Sequence, residues 1–260
     1  MGPLITLWIV WGSTYTGIAL MVKSMPPLIG SGTRFIAASL VLGMIVLLVK
    51  GPRAFTVTWP QVRGAVFMGV TILGVAIGIV SLAVRYVPTG IAALIVSVLP
   101  LWIILFRLRA GDRPSRLTLI GVGVGLIGLF LILIPGGTVP ISGASNTQVA
   151  LWSVAIAFGS FCWAFFSWRS TSYQQPKNPL TTAVIQLATA GVFLTLVGAL
   201  IGERWNLDII TQQSWAGWAF LVFASTIAYG AFVWLINNAP MSLVTTHAYV
   251  NPMVAVTLGF

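Results

Sequence analysis

Carboxylates are almost missing from this chain, which has 3 Asp+Glu against 13 Lys+Arg among 260 residues. Only 6% of the residues are charged, 58% are hydrophobic and the mean hydropathy is +1.02. A soluble domain carries roughly 25% charged residues, so this chain cannot clothe a water-facing surface and belongs in a bilayer. The three acids, Asp112, Glu203 and Asp208, all fall between apolar blocks. No intramembrane carboxylate is therefore expected for hydrolysis, metal binding or proton relay. Cys162 is the only cysteine and His247 the only histidine. One cysteine excludes an internal disulfide and a cysteine metal cluster. As nucleophile and base the pair would lack a third group to orient the ring. Enzyme, metal and cofactor readings end here. The net charge of +10 invites a nucleic-acid reading, but most basic residues sit in short gaps between apolar blocks, where topology signals are placed. No nucleic-acid partner is expected.

What remains is long apolar runs. A span needs about 20 apolar residues, because a helix rises ~1.5 Å per residue through a core ~30 Å thick. Nine blocks meet this, giving an all-α integral membrane fold: Leu4–Val22, Leu28–Val49, Arg63–Val84, Thr89–Phe106, Leu117–Ile134, Val149–Trp168, Leu180–Ile201, Trp215–Ile236 and Met241–Phe260. Met1-Gly2-Pro3 has no basic region and no cleavage pattern, and reads as the start of the first span rather than a signal peptide.

The blocks repeat. Trp11 recurs as Trp163, Pro27-Leu28 as Pro179-Leu180, Pro88 as Pro240 and Pro100 as Pro252, each pair 152 residues apart (163−11 and so on). The offset divides the chain into a first unit, 1–148, of five helices and a second, 149–260, of four. A copy of Leu117–Ile134 would begin near 269, so a tenth helix is expected to be absent from these 260 residues, and this form is expected to be compromised. An odd unit enters the membrane the opposite way on its second appearance, which makes the repeat inverted. With the N-terminus cytoplasmic, inner gaps carry Lys50, Arg53, Arg63, Arg107, Arg109, Arg113, Arg116, Arg169 and Lys177. Outer gaps carry Lys23, Arg85 and Arg204. That distribution obeys the positive-inside rule.

Several motifs have a plain explanation. Gly123 to Gly128 spells GxGxxG, but inside an apolar span with no preceding strand or following acid. Gly121 with Gly125, and Gly74 with Gly78, lie four apart on one helix face and read as packing positions. Arg34 sits about two turns into the second span. It either snorkels to helix-end carbonyls or anchors an anionic group. In the last span, His247 and Asn251 share a face, with Thr245 and Thr246 beside them and Pro252 just after. Such breaks in paired helices point towards transporter sites. Tyr249 accompanies them. In the first span Trp11 and Tyr15 share a face, and Trp163 is the copy of Trp11. These aromatics are interfacial anchors or a cavity wall. Gln186, the copy of Arg34, and Tyr229 are further candidates. The halves differ at Arg34/Gln186, Ile95/His247 and Leu99/Asn251, and those positions are where a substrate is to be sought.

Trp11-Gly12-Ser13-Thr14-Tyr15, Pro26-Pro27-Leu28 and Arg34-Phe35 with Ala37-Ala38 resemble the opening of EamA-domain transporters. Val87-Pro88-Thr89-Gly90-Ile91-Ala92-Ala93 through Pro100 is similar to that family's third-to-fourth helix segment. Tyr249-Val250-Asn251-Pro252 with Val254-Ala255-Val256 resembles its YedA-like branch. The resemblance implies the drug/metabolite transporter fold, with ten helices in two inverted five-helix repeats around a central cavity. It also implies a bacterial inner-membrane permease with a cytoplasmic N-terminus. Gly111-Asp112 stands where the family has Gly-Glu after the fourth helix. The expected function is export of a small metabolite, an amino acid or related compound, by alternating access. Trp11, Tyr15, Trp163 and Tyr249 would form walls, His247 and Asn251 would donate or accept hydrogen bonds, and Arg34 would meet a carboxylate. Small-molecule substrate and membrane lipid are the expected partners. Proton coupling, counter-substrate exchange and a homodimer stay open. A lipid-handling or scaffolding protein of the same fold is the alternative; convergence of the polar residues on an enclosed space decides against it.

Overall fold

A computed structural model describes residues 2–112, 114–124, 127 and 143–259. Among these residues the secondary structure is helical and no strand occurs. Seven helices are long and apolar enough to cross a bilayer: α1 (Gly2–Met21), α2 (Pro27–Lys50), α3 (Trp59–Ala83), α4 (Thr89–Arg109), α5 (Asn146–Trp168), α6 (Pro179–Leu200) and α7 (Gln212–Asn238). The last apolar block is interrupted. It is divided into α8 (Met241–Val244) and α9 (His247–Gly259) by a turn at Thr245-Thr246, so the break precedes His247 and does not fall at Pro252, which lies inside α9. Of the block Leu117–Ile134, residues 116–124 are helical; the remainder, apart from position 127, lies outside the described residues.

Helix starts extend beyond the apolar blocks where polar caps lie. At α5, Ser145 Oγ accepts from the Gln148 N–H, and Gln148 Oε1 accepts from the Ser145 N–H. This reciprocal box satisfies two otherwise orphaned donors and starts the helix at Asn146 rather than Val149. Thr211 Oγ1 likewise accepts from the Ser214 N–H and starts α7 three residues before Trp215.

Two helices end in the same motif. After α4, Gly111 takes φ +81°, its N–H meets the Leu108 carbonyl, and the Asp112 N–H meets the Arg107 carbonyl. After α6, Gly202 takes φ +88°, its N–H meets Ala199, and the Glu203 N–H meets Gly198. Both are Schellman caps, in which glycine supplies the left-handed residue. The caps aim the acids that follow. Asp112 accepts from Arg107 Nε at 2.8 Å. Glu203 accepts from the Leu28 and Ile29 N–H groups at the start of α2 (3.0 and 2.9 Å), where unpaired amides and the helix dipole favour a negative charge.

Small residues decide which helices touch. A Cβ on Gly32 of α2 would stand 2.7 Å from the Gly191 carbonyl oxygen of α6, and one on Gly191 would stand 2.8 Å from that of Gly32. The two backbones are in contact because neither residue has a side chain. Gly74 and Gly78 pack as their spacing suggested, against Phe193 and Leu194 of α6. Gly121 has no neighbour that a Cβ would meet among the described residues, and Gly125 lies outside them. α1 packs on α7 and α9, while α5 packs on α3 and α4. The outward faces are apolar, with Leu48 77% and Leu200 84% exposed, as suits contact with lipid tails.

Three of the long helices are irregular along their length. α3 has a π-helical stretch at Gly69–Val75 and α7 has one at Ser225–Tyr229. Residues 73–75 and 225–227 are counterparts at the 152-residue offset. α4 is interrupted at Ser97-Val98. π-Bulges and helix breaks displace side chains from the regular register and collect at functional sites. Here they flank the cavities described next.

Candidate functional site

Trp11, halfway along α1, is the hub. Its indole meets Trp163 of α5 and Phe232 of α7 edge to face, both at 5.2 Å between centroids. It stacks on His247 of α9 at 5.4 Å and 24°, and lies 6.2 Å from Tyr229 of α7. Rings from four helices therefore converge, in the offset and edge-on arrangements that aromatic quadrupoles favour. The close approach of α1 to α9 depends on Gly12, where a Cβ would stand 2.6 Å from that of Val254.

Two small cavities, each about 30 Å³, lie on either side of this hub. That is room for one or two water molecules. Trp11 and Ile77 line both. The first is walled by Tyr15, Ser160, Trp163, His247 and Asn251, among apolar residues of α3 and α4. The second is walled by Thr14, Arg34, Ser225 and Tyr229.

Arg34 is the strongest charge in the site. It is 2% exposed, its Nη1 donates to Ser225 Oγ at 3.1 Å, and its guanidinium lies 4.3 Å from the Phe35 ring centroid. Its Nε has no partner among the described residues. No acid neutralises it: Asp112 pairs with Arg107, Glu203 holds the start of α2, and Asp208 is exposed. Buried charges are ordinarily paired, so this guanidinium is equipped to receive an anion.

Polar groups in the other cavity are also underused. The His247 Nδ1 lies 2.7 Å from the Val244 carbonyl. A carbonyl only accepts, so Nδ1 carries the proton and Nε2 of the neutral ring is an acceptor. Asn251 Oδ1 and Trp163 Nε1 are buried without partners among the described residues. Ser160 donates to the Val96 carbonyl at 3.2 Å, beside the α4 interruption.

The predicted residues thus separate into three groups. Trp11, Tyr15, Trp163, His247 and Asn251 share the first cavity, and Trp11, Arg34 and Tyr229 share the second. Gln186 lines neither: its Oε1 accepts from the Tyr229 hydroxyl at 2.6 Å and its Nε2 donates to Gln175 Oε1 at 2.9 Å. It stands behind Tyr229 and holds it. Tyr249 faces elsewhere, into a cavity of about 430 Å³ with Pro100, Arg107 and Thr246. Ser160 and Ser225 were not singled out in the sequence, although a hydroxyl deep in an apolar block carries the same signal as Thr245. Gln175 lies in a gap, where a glutamine carries none.

The profile of the EamA-like transporter family matches residues 4–134. The chain is 35% identical to the inner membrane transporter YedA of Escherichia coli K12 over 263 residues, 99% of this chain and 81% of that one. It is 25% identical to a probable amino-acid metabolite efflux pump of Salmonella typhimurium, over 90% of this chain and 79% of that one. Protein PecM of Dickeya dadantii is also 25% identical, over 96% and 80%. A protein of known crystal structure superposes with a TM-score of 0.74 at 18% identity, covering 98% of this chain and 85% of that one. That likeness concerns the fold alone.

Proposed function

The chain belongs to the EamA-like transporter family, and from that premise we propose that it is an inner-membrane permease exporting a small metabolite, an amino acid or related compound. Transport would proceed by alternating access between two inverted repeats, 1–148 and 149–260, of a ten-helix design, with the N-terminus in the cytoplasm. The observation that carries the reading is Arg34. Its buried guanidinium lines a small cavity, with no acid to neutralise it among the described residues. In this reading it receives the substrate carboxylate, Trp11, Tyr15, Trp163 and Tyr229 form the walls, His247 and Asn251 add hydrogen bonds, and Gln186 positions Tyr229. Tyr249 serves the neighbouring cavity.

Two patterns support the inverted repeat. The Gly32–Thr195 contact has a counterpart at Gly43–Val184, the pairing that a two-fold relating i to i+152 would produce. Loop contacts also join gaps assigned to one side: Glu203 with Leu28 outside, and Thr181 Oγ1 with the Ala54 carbonyl inside. Burial of Arg34, His247 and Asn251 around two small cavities favours transport over lipid handling or scaffolding.

The test is flux of labelled amino acids in proteoliposomes. A charge-assisted hydrogen bond is worth ~1.5–3 kcal/mol, so Arg34→Gln is expected to weaken apparent substrate affinity by about 10- to 100-fold. Undiminished transport by Arg34→Gln would remove the anchor. Orientation is tested in a Cys162→Ala background with single cysteines at Asn206 and Ala54. Only the former should react with an impermeant maleimide in intact cells.

A further inference from the structure

The two cavities differ in chemistry and share Trp11 and Ile77 as walls. On one side stand a guanidinium with a free Nε and the Ser225 hydroxyl. On the other, no Lys or Arg is present, and acceptors outnumber donors: the Nε2 of His247, the unpartnered Oδ1 of Asn251 and the Ser160 and Tyr15 hydroxyls stand with one unpartnered donor, Trp163 Nε1. Trp11 and Trp163 also line that side, and indole is the best aromatic surface for a cation. The first end suits a carboxylate and the second an ammonium or guanidinium.

The divider is Trp11, with Ile77 beside it. The indole has His247 at 5.4 Å towards one cavity and Tyr229 at 6.2 Å towards the other. Neither space of about 30 Å³ can hold an organic metabolite by itself. Ile77 follows the π-helical stretch of α3, and Tyr229 ends that of α7, so both flanks of the divider sit where the backbone is least regular.

We propose that the cavities are two ends of one substrate chamber, that Trp11 is its movable partition, and that the chamber takes a dipolar metabolite with carboxylate and cationic nitrogen several carbons apart. This rests on the reading of Arg34 as the carboxylate anchor. An α-amino acid with an apolar side chain has its two charges one carbon apart and cannot reach both ends. An ω-amino acid, or an amino acid with a cationic side chain, can.

The experiment measures thermal stabilisation of the purified chain by two series, since a ligand that binds the folded state stabilises it. One runs from glycine to 6-aminohexanoate; the other contains the matching carboxylates without nitrogen. In the wild type, binding should strengthen with chain length, and 6-aminohexanoate should bind at least about tenfold more tightly than hexanoate, a difference of ~1.4 kcal/mol. Asn251→Leu should abolish that nitrogen preference, and Trp11→Ala should flatten the dependence on length. Arg34→Gln should weaken both series. Binding that is strongest for glycine, or equal for the two series in the wild type, overturns the chamber while leaving Arg34 in place. Indifference of both series to Arg34→Gln, or absence of stabilisation by either, overturns the anchor itself.

Discussion

Gly32 and Gly43 lie on the same helix, yet substitution of the two should have unequal effects. A Cβ on Gly32 would stand 2.7 Å from the Gly191 carbonyl oxygen, whereas one on Gly43 would find only Val184, at 3.6 Å. Gly32→Ala forces two backbones apart and is expected to cost about 1–3 kcal/mol, while Gly43→Ala makes an ordinary contact and removes a flexible residue from a helix. Thermal unfolding in detergent should show a lowered midpoint for the first and none for the second. Arg34, Trp11, His247 and Asn251 were legible in the sequence because polar or large aromatic groups inside apolar blocks need a physical reason. Their division between two cavities was not legible. It depends on which side of Trp11 each side chain falls, and the periodicity of a helix does not contain the crossing angles that decide this.

At the scale of the element, helix ends carry more specific information than helix lengths. The Schellman cap of α4 sets Asp112 beside Arg107, whose guanidinium hydrogen bond holds the carboxyl below its ordinary value near 3.8. The stabilising contribution of a depressed carboxyl is present above that ordinary value and is lost as pH falls through the lower folded one. In Arg107→Gln the Asp112 titration, followed by carboxyl carbon NMR, should move upward towards 3.8. The cap of α6 offers a second test. Gly202→Ala puts a Cβ on a left-handed residue at a cost of about 1–2 kcal/mol and mis-aims Glu203. It should therefore destabilise the protein more than Glu203→Gln, which keeps the cap and loses only the charge. Apolar runs and turn residues indicated the seven long helices. They did not reveal the π-helical stretches or the division of the last block, because those follow from packing against neighbouring helices and leave the local composition unchanged.

For the whole molecule, helix contacts run extensively between the proposed units 1–148 and 149–260. α1 lies against α7 and α9, α5 lies against α3 and α4, and α2 lies along α6. The Glu203 contact extends this interdependence to the order of synthesis. The amides that begin α2 wait for a carboxylate made about 175 residues later, after at least the four further long helices α3 to α6 among the described residues. Until then the positive end of α2 has no protein anion to meet it. The first half is therefore expected to leave the ribosome as an immature intermediate, open to quality-control proteolysis. Expressed alone, residues 1–148 should be degraded faster than when residues 149–260 are co-expressed as a separate chain. Pulse-chase decay rates of the two cultures would measure the difference.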